Sequence, residues 1–135
     1  MPANQIVVHR IDGGIVKGSS LDVDPKHPQC HVRTQAGESV EIAMADVKAL
    51  FFVKSLAGGH PPRTDAKEAE KGDTRLVGAR RVRIVFTDGE EIVGLMNRFP
   101  PITPYYFLLP IDPQSNNIRI LVNGRAVRHI EEVTT

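Results

Sequence analysis

Three side chains that can bind zinc or attack a substrate, those of His27, Cys30 and His31, lie within one short stretch of the chain. A zinc site needs three or four converging ligands, whereas neighbours on a strand, such as Cys30 and His31, point to opposite faces. A catalytic cysteine–histidine pair would also need a third group that orients the histidine, and this stretch offers none. We therefore expect a partly buried thiol with exposed histidines, and no metal ion, cofactor or enzymatic activity.

Carboxylates occur side by side at Glu90 and Glu91, and again at Glu131 and Glu132. Adjacent side chains of a strand diverge to opposite faces, so neither pair can share a proton as an acid/base pair does. We interpret them as solvated residues or as charges that keep a sheet edge from pairing with other chains. The sequence also lacks the glycine-rich fingerprints that bind phosphate groups.

A basic stretch runs from Thr74 to Thr87, where no acidic residue occurs. Together with arginines nearer the C-terminus it could form a patch that binds phosphates or an acidic partner. The residues concerned are Arg80, Arg81, Arg83, Arg119, Arg125 and Arg128. The alternative, which we favour, is that these arginines are ordinary outward-facing strand residues paired with the neighbouring glutamates.

The elements that carry these side chains have a pattern typical of β-hairpins. Apolar residues alternate with others from 82 to 86, and Asp88-Gly89 follows, a dipeptide that favours a tight turn with positive φ. The same pattern occurs near the N-terminus, around Asp12. Each copy has a glycine five residues after its turn glycine, Gly18 and Gly94. We expect these two glycines where a strand bends or another backbone comes close.

Five strands are predicted in each copy, so that the chain contains one supersecondary unit twice. The expected organisation is a first unit at 1–55, a flexible linker at 56–78 and a second unit at 79–135. Residues 65–71 of the linker could form one short helix with Thr64 as its N-cap. The spacing from Val47 to Val127 is four positions longer than that from Asp12 to Asp88, which predicts four extra residues in the loops of the second unit.

The second hairpin and the later run from Val122 to Ile130, with its glycine turn, resemble the two signatures of Sm-like domains. The resemblance implies an all-β chain of two tandem Sm-like five-stranded small barrels, and a single merged β-sandwich is the alternative. It also implies RNA binding through an acidic residue, an aromatic residue and an asparagine that follow the bent strand. Phe99 could be the aromatic residue, but prolines occupy its neighbouring positions. The resemblance is therefore stronger evidence that this chain has the fold of Sm-like domains than that it binds RNA.

Composition is ordinary for a globular protein. The 135 residues include 41% hydrophobic and 24% charged side chains, the net charge is +1, and aromatic residues make up 5%. A single cysteine is compatible with a reducing compartment, and no apolar run is long enough to span a bilayer. We expect a cytoplasmic protein that has no membrane partner.

The sequence favours a non-enzymatic binding or interaction module, with a protein partner or self-association. Its expected interaction surface comprises Phe51, Phe52, Phe99, Asn116 and Asn117. Phe51 and Phe52 are neighbours on a strand, so one of them points away from the core of its own unit and must be buried by something else. We favour burial against the other unit over a contact with another molecule. RNA binding through the arginines is the first alternative. Binding of a cyclic dinucleotide by a PilZ-type barrel is the second, although the turn at 112–117 has the wrong spacing for that family.

Overall fold

The computed structural model describes residues 3–56, 79–112 and 114–133. These residues form ten strands and two single 3-10 turns, at Met44–Asp46 and Gly124–Ala126, so the expected all-β class is confirmed. The expected linker, with its short helix at 65–71, lies outside the described residues apart from its first position. The strands are β1 (Asn4–Arg10), β2 (Ile15–Ser20), β3 (Gln29–Thr34), β4 (Ser39–Ala43), β5 (Val47–Val53), β6 (Arg80–Phe86), β7 (Glu91–Met96), β8 (Tyr105–Pro110), β9 (Asn117–Asn123) and β10 (Val127–Glu132).

The first half of the chain (β1–β5) and the second half (β6–β10) follow the same plan. The starts of β6, β7 and β8 follow the starts of β1, β2 and β3 at one constant spacing, whereas β10 follows β5 at a spacing four positions longer. The extra residues of the second half therefore lie in the β8–β9 hairpin. Both 3-10 turns directly precede the last strand of their half.

The two Asp-Gly hairpins have wider turns than a two-residue loop. Arg10 N–H donates to Gly14 O and Phe86 N–H donates to Glu90 O, each at 2.8 Å, so three residues form each loop. Only the glycine of each loop has a positive φ, 94° at Gly13 and 93° at Gly89. Each aspartate instead accepts a hydrogen bond from the N–H two residues later, which closes the turn from its side chain.

The expected close approach at Gly18 and Gly94 is confirmed. A Cβ atom on Gly94 would lie 2.5 Å from Leu108 Cγ and 2.7 Å from the carbonyl oxygen of Leu109. At Gly18 a Cβ atom would overlap the carbonyl oxygen of Arg33. In both halves the second strand thus crosses directly over the third, at a place where only glycine fits.

All ten strands belong to one antiparallel sheet with the order β10-β6-β7-β8-β9-β5-β1-β2-β3-β4. Within each half the last strand pairs with the first, as β5 with β1 and β10 with β6. The halves are joined by hydrogen bonds between β5 and β9. The ladder is thus one continuous open sheet, and it fits the single merged alternative better than the expected pair of barrels.

Two hydrophobic cores lie on opposite faces of the β5–β9 ladder. Leu50 and Leu121 belong to the first core, together with Ile6 and Val32 of the first half. Their neighbours along the two strands, among them Ala49, belong to the second core. Since side chains of a strand alternate between faces, β5 and β9 are buried on both faces. In the described ranges, no helix is long and apolar enough to cross a membrane.

Candidate functional site

The junction between the halves is formed by two strands, one from each half. Strand β5 of the first half pairs with β9 of the second over Ala49↔Val122, Leu50↔Leu121 and Phe51↔Ile120. Each half thereby completes the core of the other. Antiparallel strands commonly keep one face in solvent, whereas the burial of both faces here holds the two halves together.

Phe51 and Phe52 lie inside this junction. Phe52 is 3% exposed and belongs to the first core, whereas Phe51 is half-buried and packs against the second. The ring of His9, on β1, lies 4.7 Å from the Phe51 ring between centroids. Phe51 is therefore covered by the other half of the same chain. Neither phenylalanine forms part of a broad outward-facing surface.

Lys48 forms a buried ionic contact across the junction. Its ammonium Nζ lies 2.7 Å from Asp88 Oδ2 and 3.0 Å from Glu90 Oε1, both in the second hairpin, and 4.8 Å from the centre of the Phe86 ring. Burial opposes the charge of the lysine, but the hydrogen bonds to the two carboxylates outweigh it and raise the pKa of Lys48. The cation of one half is thus neutralised by the turn of the other.

Asparagine side chains fix both ends of the β5–β9 ladder. At one end, Asn116 donates from Nδ2 to Ser55 O (2.9 Å) and accepts at Oδ1 from Ser55 N–H (3.0 Å), while its carbonyl accepts from Lys54 N–H (2.8 Å). At the other end, the buried Asn123 donates from Nδ2 to Val47 O (2.8 Å). Asn116 belongs to the longer β8–β9 loop. That loop therefore binds the end of the first half, which was not expected from the sequence.

The expected arginine patch is divided among several places. Arg80 pairs with Glu132 (Nη1 to Oε1 2.7 Å), and Arg83 pairs with Glu131 and, at 3.4 Å, with Glu91. Of the six arginines named above, these two make the outward-facing ion pairs of the favoured interpretation.

Arg119 occupies a different position, against the rings of Phe52 and Phe107 at the junction. Its guanidinium carbon lies 4.3 Å from the centre of the Phe52 ring and 4.6 Å from that of Phe107. Arg81 is half-buried, while Arg125 and Arg128 are exposed at the β10 end of the sheet. Within the described residues, Arg125 and Arg128 have no ion-pair partner. They are the arginines best placed to contact an external anion.

The remaining expected surface residues lie apart from one another. Phe99, in the β7–β8 loop, is half-buried and packs against the second core. Asn117, at the start of β9, is half-buried and faces Val53 across the junction.

In the stretch that contains the histidines and the cysteine, His31 is hydrogen-bonded to Asp22 of the β2–β3 loop, and we call this pair the Asp22–His31 latch. Asp22 accepts from the backbone N–H of His31 (2.9 Å) and lies 2.7 Å from its Nδ1. The hydrogen bond to Asp22 raises the pKa of His31. Cys30 points into the first core, where burial raises the pKa of its thiol to about 11. Within the described ranges, no group of three potential ligands converges on one point.

Sequence reasoning did not identify Lys48, Asn123 or His9 as residues of the junction. A signal was present for Lys48, which is the one charged residue of β5. A charge inside an otherwise apolar strand implies a partner of opposite charge. No comparable signal marked His9, whose pKa is lowered by burial.

Comparisons with known proteins give a family without an assigned role. The family model described as "Family of unknown function (DUF6982)" matches residues 2–134. No curated protein and no solved structure matches the chain.

Proposed function

We propose a role for this chain, which belongs to the DUF6982 family: it is a non-enzymatic interaction module that binds a protein partner through the edges of its sheet. The observation that carries the proposal is the β5–β9 junction, in which two sheet edges meet and are buried on both faces. The corresponding edges at the two ends of the sheet, β4 and β10, each have one neighbouring strand within the described residues. Unpaired edges are ready-made templates for another strand.

We further propose that the chain is a tandem pair of Sm-like units merged into one sheet. The shared strand order of the halves supports this relationship, as do the two Asp-Gly hairpins and the glycines at 18 and 94. In this proposal the junction takes the place of a contact between separate subunits. The chain then needs no second copy to complete its cores.

The first test is the mass of the purified protein by light scattering, with the 260/280 nm absorbance ratio recorded before nuclease treatment. The proposal predicts a nucleic-acid-free species with the mass of one chain, 14.9 kDa. A larger assembly that co-purifies with nucleic acid would contradict it and favour the second candidate, RNA binding.

RNA binding is retained as a second candidate because Arg125 and Arg128 are accessible and have no ion-pair partner among the described residues. Accessible arginines near each other in sequence can bind backbone phosphates, and the affinity then falls steeply with salt. The variant Arg125→Ala/Arg128→Ala should weaken oligonucleotide binding if this candidate is correct. Arg80→Ala is the matched control, because Arg80 already pairs with Glu132.

A further inference from the structure

The two outer edges of the sheet correspond to the two edges that meet inside the molecule. Strand β4 is the counterpart of β9 in the repeated plan, and β10 is the counterpart of β5. A second copy could in principle place its β10 edge on β4 as β5 lies on β9. The facing residues of that pairing follow from the internal register, and they decide whether it forms.

In a pairing of β10 with β4, the residues that correspond to the apolar β5–β9 pairs are no longer apolar on both strands. Ala49↔Val122 becomes His129 facing Ile42, and Phe51↔Ile120 becomes Glu131 facing Val40. Leu50↔Leu121 becomes Ile130 facing Glu41. Every pair then combines an apolar residue with an ionisable one. Burying such a group without a partner costs more than the apolar contact contributes.

The residues that fix the ends of the internal junction are also missing at the outer edges. Asn123 corresponds to Ala43, whose side chain cannot donate a hydrogen bond. The loop that carries Asn116 has a shorter counterpart in the first half, between β3 and β4. Arg128 would then face Asp12, in a pair that corresponds to Lys48–Asp88, but an exposed ion pair contributes little. Pairing between copies is therefore disfavoured.

The β4 edge has a chemical character that fits a different strand. Val40 is half-buried and Ile42 is buried, and both contact the first core. Between them Glu41 is exposed, at the position where β9 has Leu121. On the inner face of the edge, Val40 and Ile42 pack into the first core, Ile42 with no exposed surface, while on the outer face Glu41 lies opposite His31 of β3.

We propose that the β4 edge binds an extended segment of another protein, antiparallel to β4, with a lysine or arginine facing Glu41 and apolar residues facing Val40 and Ile42. The segment takes the place on β4 that β5 takes on β9, with a basic residue in the position of Leu50. This inference rests on the proposed function and names the surface and the chemistry of the partner. The opposite charge of Glu41 is what selects this partner over a second copy, which would bring Ile130 to that position.

The test uses the full chain and two synthetic peptides of residues 47–54, one with Leu50→Lys and one with Leu50→Glu. The lysine peptide should bind at least tenfold more tightly than the glutamate peptide, and NMR shifts should concentrate on Ser39–Ala43. In the variant Glu41→Lys the preference should reverse. Glu91→Lys, which changes the net charge equally but lies on β7, should leave the preference unchanged.

Several outcomes would overturn the inference. Binding of neither peptide would show that Glu41 only blocks the edge, and binding that is indifferent to the exchange at Glu41 would place the segment elsewhere. A dimer that dissociates in Glu41→Lys would assign the edge to a second copy. The interaction module itself survives a negative peptide result if the protein is free of nucleic acid. Co-purified nucleic acid that depends on Arg125 and Arg128 would instead refute the proposed function.

Discussion

The ammonium group of Lys48 lies 2.7 Å from the carboxylate of Asp88, so that a cation in the last strand of the first half is held by the hairpin of the second. The side chain of Lys48 is 8% exposed, whereas that of Asp88 is 51% exposed. The lysine therefore depends on this contact far more than the aspartate does.

We expect Lys48→Glu to destabilise the protein, because it places a third carboxylate beside Asp88 and Glu90 in a buried position. An uncompensated buried charge costs about 3–5 kcal/mol, and urea denaturation will measure the loss. Arg128→Glu is the matched control, since Arg128 occupies the corresponding position on β10 and is exposed. Equal losses in the two variants would contradict the structural role of Lys48.

Asn116→Ala should loosen one end of the junction. The variant removes the two hydrogen bonds between the amide side chain and Ser55 but keeps the one accepted by the backbone carbonyl. Each lost bond contributes about 1 kcal/mol, so the free energy of unfolding should fall by about 1–2 kcal/mol. Hydrogen exchange of the Ser55 amide should become faster. The neighbouring variant Asn117→Ala should leave that exchange rate close to its original value.

Gly94→Ala should lower stability through a steric clash. The added Cβ atom would lie 2.5 Å from Leu108 Cγ and 2.7 Å from the carbonyl oxygen of Leu109, and the backbone atom cannot move aside cheaply. Overpacking of this kind typically costs about 1–3 kcal/mol, measurable as a lower thermal midpoint. Gly14→Ala serves as the comparison, because the nearest atom to its Cβ, at 3.1 Å, belongs to the Asp12 side chain. A smaller loss at Gly94 than at Gly14 would be inconsistent with the close crossing of β7 and β8.

The Asp22–His31 latch should stabilise the β2–β3 loop only within a pH window. The hydrogen bond to Asp22 raises the pKa of His31 above its ordinary value of 6.5, so this contribution is complete below pH 6.5 and disappears as the pH rises through the raised pKa. Burial opposes the charge of Asp22, but hydrogen bonds from His31 and Ser20 lower its pKa below 3.8. Its contribution is complete above pH 3.8 and disappears as the pH falls through the lowered pKa.

NMR titration of the His31 ring will test the latch. In Asp22→Asn the pKa of His31 should fall back towards 6.5, and the protection of the loop amides, measured as their exchange rate relative to the intrinsic rate at each pH, should be the same on both sides of neutral pH. A titration curve of His31 that does not respond to this substitution would refute the pairing.

Cys30 should be unreactive in the folded protein. Its side chain is inaccessible, and burial raises the pKa of the thiol to about 11, so the reactive thiolate is scarce at neutral pH. Labelling by a disulfide reagent at pH 8 should therefore be slow in buffer and fast in urea, with a midpoint that matches global unfolding. Rapid labelling of the native chain would mean that the first core opens locally around β3.

Local features of the fold were accessible from the sequence because they depend on short-range patterns. The Asp-Gly turns at Asp12 and Asp88 and the spacing to Gly18 and Gly94 located both hairpins and the strands on either side. These features need only the period of a strand and the conformational freedom of glycine. The extra residues of the second half were also predicted, although not their position around Asn116.

The joining of β5 to β9 could not be derived in the same way. It pairs residues that are far apart in the sequence, such as Phe51 with Ile120, and no local preference specifies such a contact. The adjacent Phe51 and Phe52 did indicate that both faces of β5 need a cover. The arginines illustrate the opposite case, since the patch expected from the basic stretch and the later arginines is divided: Arg119 lies on aromatic rings while Arg80 and Arg83 pair with glutamates.

The burial of β5 on both faces has a consequence for synthesis on the ribosome. All five strands of the first half emerge before β9 does, so β5 lacks the strand that pairs with it, and Ala49 and Phe51 lack part of their core, until residues 117–123 have been translated. During that interval the nascent chain exposes an apolar strand edge, a feature prone to aggregation. The order of translation therefore makes the first half depend on the second for its protection, and the exposure lasts until β9 has been translated.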